Sequence, residues 1–245
     1  MSASTPAILI CGHGSRNPDA APEFFRLVEK IRQRRPGQMI TGAFLEFNQP
    51  TIEDALQDIY DQGERNIIAQ PLTLYAADHS HRDIPDILNR FQQKHPDMTL
   101  RYGAALGLCP PVIDAAVHVV TPFLQEDCEI LVVGRGSPDR RVADQTINLC
   151  QKLHQRLPAH HIRYCYAGHS LPMLVPALEQ AARSHYRAAV ILPFLLFPGR
   201  LLEEIYHAVD GVAAQYPAVH FHKAPPLGPQ NSIADAALVR IDALS

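Results

Sequence analysis

Three side chains of the types that bind divalent metals follow three successive apolar runs in the first half of the chain. His13, Glu46 and His79 come after the first, second and third of these runs. Two imidazoles and a carboxylate suit a borderline ion such as cobalt, nickel, iron or zinc. The residue types therefore predict a single metal site, provided that the fold brings the ends of the three runs together.

Each of these residues also has a simpler interpretation. A histidine at the end of a strand is commonly a surface or capping residue, and Glu46 alone could form a salt bridge. Asp83 and Pro85, shortly after His79, are typical of the start of a helix. Taken one by one, the residues are compatible with either interpretation. The recurrence of metal-binding residue types after three successive apolar runs favours a metal site.

The elements that must position these side chains alternate between strand and helix. Between two strands, a set of apolar residues lies on one helix face at spacings of three and four: Ile52, Ala55, Leu56, Ile59 and Tyr60. The predicted strands are Ala7–Cys11, Met39–Leu45, Asn66–Leu72 and Leu100–Ala104, then Glu129–Val133, Ile162–Ala167, Ala188–Phe194 and Val219–His222. This alternation predicts parallel sheets covered by helices, where ligands bind beyond the carboxyl ends of strands.

The second half of the chain repeats the first. Gly12-His13-Gly14-Ser15 returns 122 residues later as Gly134-Arg135-Gly136-Ser137, and Asp114-Ala115-Ala116 returns 121 residues later as Asp235-Ala236-Ala237. A constant shift of this length indicates a duplicated domain. We therefore predict two lobes, residues 1–123 and 124–245.

The candidate ligands do not recur in the second copy. Arg135 stands opposite His13, Gly168 opposite Glu46, and Leu201 opposite His79. The sequence thus predicts one metal site, in the first lobe.

These motifs resemble the sirohydrochlorin chelatase (CbiX) family, class II tetrapyrrole chelatases, in its long two-domain form. The resemblance rests on Gly12-His13-Gly14-Ser15-Arg16, on Phe44-Leu45-Glu46, and on His79 followed by Asp83-Ile84-Pro85. It extends over nearly the whole chain, including Val133-Gly134-Arg135-Gly136-Ser137 and the segment 192–199. One departure is Ala76-Ala77-Asp78, where the family has small or glycine-rich residues.

The resemblance implies an α/β fold of two tandem flavodoxin-like, chelatase-type lobes, each a four-stranded parallel sheet flanked by helices. It implies that His13 and His79 hold the metal and that Glu46 assists. Asp83 lies one helical turn after His79, and we expect it to orient that ring. The implied activity is insertion of a divalent metal into sirohydrochlorin, with cobalt favoured by the long form and cobalamin biosynthesis as the context. The metal, cobalt or else iron or nickel, is a substrate, and no organic cofactor is expected.

Sirohydrochlorin carries many carboxylates, and the planar guanidinium of arginine suits them. We expect Arg135 and Arg200, at or beside positions where the first copy has ligands, to bind the substrate. Ser15, Arg16 and Arg82 are the first-lobe candidates for the same role. The sequence assigns no role to Asp78, His81 or His169.

Composition excludes several function classes. A net charge of -3 argues against general nucleic-acid binding, and no apolar stretch is long enough for a membrane span. Met1–Pro6 lacks the pattern of a signal peptide. The five cysteines form no C-x-x-C pair and are typical of reduced thiols in a cytoplasmic protein. The oligomeric state stays open.

Three alternatives remain at this stage. The chain could be a sirohydrochlorin ferrochelatase for sirohaem, or a carrier of metal or tetrapyrrole that does not turn over. A hydrolase with Ser170 as nucleophile is disfavoured, because Pro172 stands where the nucleophile elbow needs glycine. No G-x-x-x-x-G-K-[ST] motif supports the use of ATP.

Overall fold

The computed structural model describes residues 5–75, 80–168 and 170–244, without the side chains of residues 80–82. Its first sheet contains four parallel strands in the order β2-β1-β3-β4. The strands are β1 (Ala7–Gly12), β2 (Ile40–Phe44), β3 (Asn66–Pro71) and β4 (Thr99–Tyr102). The helices of this half are α1 (Ala20–Gln33), α2 (Ile52–Asp61), α3 (Ser80–Lys94) and α4 (Pro110–Val120).

The second sheet repeats this order as β6-β5-β7-β8, again with parallel strands. Its strands are β5 (Cys128–Gly134), β6 (His161–Tyr166), β7 (Ala188–Pro193) and β8 (His220–Lys223). Its helices are α5 (Arg140–Arg156), α6 (Leu174–Ala182), α7 (Arg200–Gln215) and α8 (Asn231–Asp242). The predicted fold of two duplicated parallel sheets is confirmed, with strand ends within one or two residues of those predicted.

Helical spacing of apolar residues accounts for how the helices cover the sheets. On α2, Ile52, Ala55, Leu56 and Ile59 are all buried. Thr51 begins this helix as a capping box, in which its hydroxyl accepts from Asp54 N–H and the Asp54 carboxylate accepts from Thr51 N–H. The cap and the apolar face fix where the loop between β2 and α2 ends, and this loop carries Glu46.

The strand order places a topological switch point between β1 and β3. The chain leaves β1 for β2 on one side, then crosses back to β3 on the other side. Ligands of open α/β sheets bind at such a point, beyond the carboxyl ends of the strands. The loop after β1 begins there with His13.

The last helix of each repeat packs within the compact unit formed mainly by the other repeat. One unit runs to Cys109 and resumes at Gly228, so that it includes α8, and the other spans Pro110–Leu227 and includes α4. Helix α8 packs against α1 and β3, and α4 packs against α5 and β7. The compact units and the sequence repeats, predicted as residues 1–123 and 124–245, therefore divide the chain at different places.

Equivalent ion pairs mark this exchange of helices. In the first unit, Arg34 of α1 lies 2.8 Å from Asp235 of α8. In the second unit, Arg156 of α5 lies 2.5 Å from Asp114 of α4. Both pairs join equivalent positions of the repeat, so the exchange has the same pattern in the two units.

No helix in the described part of the chain combines the length and the apolar composition that crossing a membrane requires. All five cysteines are free, and Cys11, Cys128 and Cys165 are buried. The five cysteines therefore lie in no disulfide in this structure.

Candidate metal centre

The loops after β1 and β2 stay paired beyond the ends of the strands. The last strand pair is Gly12 with Phe44. Leu45 N–H then donates to Gly12 O at 2.9 Å, and Glu46 N–H donates to His13 O at 3.0 Å. This continuation of the parallel ladder fixes the backbones of His13 and Glu46 side by side.

The two side chains also meet. His13 Nε2 lies 3.0 Å from Glu46 Oε1, while the side chains remain 56% and 45% exposed. Protein ligands lie ~2.1 Å from ions of this class, and two donors at a right angle around one ion are then ~3.0 Å apart. The observed separation is also that of an ordinary imidazole–carboxylate hydrogen bond, so it is compatible with a shared ion without requiring one. The exposure of both side chains leaves them accessible from solvent.

Gly14 makes the close approach of the two loops possible. Its φ is +93°, and a Cβ added there would lie 1.8 Å from the backbone oxygen of Glu46. Any other residue would push away the segment that carries the carboxylate. On the far side of this turn, Ser15 N–H donates to Asn48 Oδ1 at 2.8 Å.

Phe47 follows Glu46 in an unusual conformation that the sequence did not indicate. Its φ is +65°, and Asn48 N–H donates to Glu46 O at 2.8 Å across it. A bulky residue in this region carries strain of about 1–3 kcal/mol. The ring is 50% exposed, and the guanidinium carbon of Arg16 lies 4.8 Å from its centroid.

The structure describes only some of the other candidate site residues of the first lobe. Ser15 Oγ accepts a hydrogen bond from Asn17 N–H at 3.1 Å, which helps to form the loop before α1. Asp83 is exposed in the first turn of α3. Asp78 and His79 lie outside the described residues, as do the side chains of His81 and Arg82. Within the described part of the chain, no three histidine, cysteine or acidic side chains form a group able to hold a metal.

The second repeat keeps the backbone arrangement without the ligands. Gly168 N–H donates to Arg135 O at 2.9 Å, which reproduces the Glu46–His13 pairing and confirms the predicted correspondence of these positions. Arg135 is exposed. Arg200 Nε lies 2.7 Å from Glu204 Oε1, with the arginine side chain 91% exposed.

Ser170 has a structural partner in the second repeat. Its hydroxyl donates to Ser137 O at 3.3 Å, at the position where Asn48 holds Ser15 in the first repeat. This contact gives Ser170 a role in the turn. The neighbouring His169 lies outside the described residues.

Two strand residues of the first sheet, Cys11 and Tyr102, keep their acidic protons at neutral pH. Burial raises the pKa of the Cys11 thiol and of the Tyr102 hydroxyl. Neither group therefore supplies an anion at neutral pH.

Comparisons with known proteins agree with this arrangement. The CbiX family model matches residues 7–122 and again 129–244, one match for each repeat. A sirohydrochlorin ferrochelatase of Priestia megaterium is 29% identical over 231 residues, which cover 93% of this chain and 86% of that protein. A sirohydrochlorin cobaltochelatase of the same organism is 24% identical over 228 residues, covering 89% and 73%.

A solved structure extends the similarity to the fold. SirB from Bacillus subtilis with Fe3+ superposes with a TM-score of 0.87 at 26% identity, covering 97% of this chain and 94% of that one. The repeats, the parallel sheets and the full-length relatives agree with one another. The chain belongs to the CbiX family of sirohydrochlorin chelatases, in its two-repeat form.

Proposed function

We propose that this chain inserts a divalent metal ion into sirohydrochlorin without ATP. The observation that carries the proposal is the His13–Glu46 pair, 3.0 Å apart at the carboxyl ends of β1 and β2. The pair lies at the point of an open α/β sheet where ligands bind. The names of the full-length relatives, which are sirohydrochlorin chelatases, supply the substrate.

His13 and Glu46 would hold the incoming ion through an imidazole nitrogen and a carboxylate oxygen. His79 is the proposed third ligand, with Asp83 orienting its ring, because both follow β3 on the other side of the switch point. Three protein ligands leave the remaining positions of the ion open to the nitrogens of the macrocycle. The exposure of the described pair is consistent with such an open site.

Metal insertion also releases two protons, one from each pyrrole N–H that the ion replaces. Glu46 is the described group placed to accept them, since its carboxylate is exposed and adjoins the proposed metal position. The protons would then pass to solvent. No electron transfer is needed, so the reaction requires no redox partner.

The resemblance of the sequence favoured cobalt, and the relatives include both ferrochelatases and cobaltochelatases. We take ferrous iron as the first candidate, because the ferrochelatase is the more similar of the two, and cobalt as the second. The ferrochelatase of Priestia megaterium is 29% identical to this chain, against 24% for the cobaltochelatase. The imidazole and carboxylate donors do not discriminate between iron and cobalt, because the affinity order of divalent ions is set largely by the ions themselves. Iron would place the chain in sirohaem formation and cobalt in cobalamin formation.

Arg135 and Arg200 are proposed to bind carboxylates of sirohydrochlorin. Arg135 stands at the repeat position of His13 and is exposed. Arg200 is exposed at the start of α7, where it pairs with Glu204. An exposed pair of this kind contributes little stability, so a substrate carboxylate can displace Glu204 at small cost.

The test is a parallel absorbance assay of sirohydrochlorin with Fe2+, Co2+ and Ni2+, under anaerobic conditions and without ATP. We expect many turnovers per chain, fastest with Fe2+, and a rate near the uncatalysed background for His13→Ala. A single stoichiometric binding event with no release of metallated ring would instead identify a carrier.

A further inference from the structure

Phe47 is a large apolar side chain exposed beside the proposed metal ligands. Within the described residues it is the one non-glycine residue with positive φ, at +65°. Glycine, or asparagine, occupies such a conformation at lower cost. Because Phe47 is half exposed, burial of its ring within its own unit contributes little stability to offset this strain. The position therefore points to a functional role for the ring.

Contacts between the two loops hold this ring in place. Asn48 receives a hydrogen bond from Ser15 N–H and donates its own N–H to Glu46 O, each at 2.8 Å. Arg16 lies over the ring, with its guanidinium carbon 4.8 Å from the centroid. The aromatic ring, the cation and the His13–Glu46 pair are therefore carried by the same two paired loops.

We propose that Phe47 is the platform on which the conjugated face of the tetrapyrrole stacks, with Arg16 beside it to pair with a substrate carboxylate. Aromatic rings stack in offset arrangements, and a guanidinium binds carboxylate through paired hydrogen bonds. Arg16 covers one part of the Phe47 ring, which nevertheless remains half exposed. Stacking next to Glu46 would position the pyrrole nitrogens near the ion.

This inference rests on the proposed function, since it takes sirohydrochlorin as the ligand. It goes further by assigning the ring-binding contact to a residue that neither holds metal nor accepts a proton. Phe47 is thus a positioning residue for the substrate. Its loss should affect binding of the macrocycle and leave binding of the metal intact.

The experiment titrates the full chain with metal-free sirohydrochlorin by absorbance, and separately with Co2+ alone. Phe47→Gly removes the ring while keeping a residue that tolerates positive φ, so the loop should remain folded. We expect its dissociation constant for sirohydrochlorin to rise about tenfold, with the constant for Co2+ changed less than twofold. Phe47→Tyr, which keeps the aromatic face, should regain most of this loss, and Phe47→Leu should regain only a part.

Val239→Ala is the matched control, because Val239 is an apolar residue of the same unit, 49% exposed on α8. It should bind the ring like the wild type. Wild-type affinity for sirohydrochlorin in Phe47→Gly, or a parallel loss of Co2+ affinity, would overturn the inference while leaving the proposed function standing. A wild-type chain that binds Co2+ but not sirohydrochlorin would overturn both.

Discussion

His13 and Glu46 are in contact because their backbones are already paired. The hydrogen bond from Glu46 N–H to His13 O fixes the two Cα positions before the side chains contribute anything. If the pair binds an ion as proposed, this arrangement would reduce the ordering cost of binding. The same backbone pairing in the second repeat carries Arg135 and Gly168. The two repeats therefore share the backbone arrangement, but only the first has the proposed metal ligands.

Glu46→Gln tests whether the charge of Glu46, and not only its size, is needed for turnover. The amide keeps the size of the carboxylate but cannot carry its negative charge, so it would not attract the ion or accept a proton as proposed for Glu46. We expect kcat to fall at least about a hundredfold, the lower end of a general acid–base contribution, with unchanged affinity for metal-free sirohydrochlorin. Steady-state kinetics and a ring titration provide the two measurements.

Glu53→Gln is the control for that experiment. It removes an exposed carboxylate of α2 that pairs with Arg90 at 3.4 Å. Its kinetics should match the wild type. If Glu46→Gln weakened only the affinity for the ring, neither proposed role of Glu46 would hold.

The five thiols should differ in reactivity. Burial raises the pKa of Cys150 and Cys165 to about 12, whereas Cys109 is partly exposed. A raised pKa lowers the thiolate fraction at pH 8, and only the thiolate attacks an alkylating reagent. Iodoacetamide at pH 8, followed by peptide mass spectrometry, should label Cys109 at least about tenfold faster than either. Equal labelling rates would show that the core opens more readily than its packing indicates.

At the scale of elements, the turn after β1 should tolerate change less than its copy after β5. Gly14 and Gly136 both have positive φ, at +93° and +84°. An added Cβ meets the backbone oxygen of Glu46 at 1.8 Å in the first turn, but the side-chain oxygen of Ser170 at 2.8 Å in the second. A serine side chain can rotate away, whereas the Glu46 carbonyl cannot move without displacing the carboxylate.

Gly14→Ala should therefore abolish most metal insertion and lower the melting temperature more than Gly136→Ala does. Thermal unfolding and the absorbance assay measure both effects in parallel. An equally active Gly14→Ala chain would mean that Glu46 need not stay beside His13.

Periodicity and the internal repeat were enough to predict the strands and to place His13 and Glu46 at the same edge of the sheet, but not their direct contact. Helix α2 illustrates why, since its predicted apolar face is buried and its start is fixed by the Thr51 cap. Local patterns could not reveal the conformation of Phe47, because that φ is imposed by hydrogen bonds between loops distant in sequence. The exchange of α4 and α8 was equally hidden, since the repeat has the same pattern whichever sheet each helix covers.

At the scale of the whole molecule, that exchange makes the first unit depend on the end of the chain. Ala237 of α8 and Ala116 of α4 are repeat equivalents, and both are fully buried. Ala237→Asp would place an unpaired charge in the first unit, at a cost of several kcal/mol. Hydrogen exchange should then rise in β1–β4, and metal binding at His13 should weaken.

Ala116→Asp is the matched variant, and its faster exchange should appear in β5–β8. Each substitution thus affects the unit formed mainly by the other repeat. If Ala237→Asp raised exchange in β5–β8 and spared β1–β4, the assignment of α8 to the first unit would be wrong.

The central claim is that one repeat binds the metal and the equivalent position of the other does not. It is tested most directly by calorimetric titration of Co2+ into three full-length chains: wild type, His13→Ala and Arg135→Ala. The account predicts one site per chain in the wild type, loss of that site in His13→Ala, and unchanged metal affinity in Arg135→Ala. Metal binding that survives in His13→Ala, or that disappears in Arg135→Ala, would contradict it.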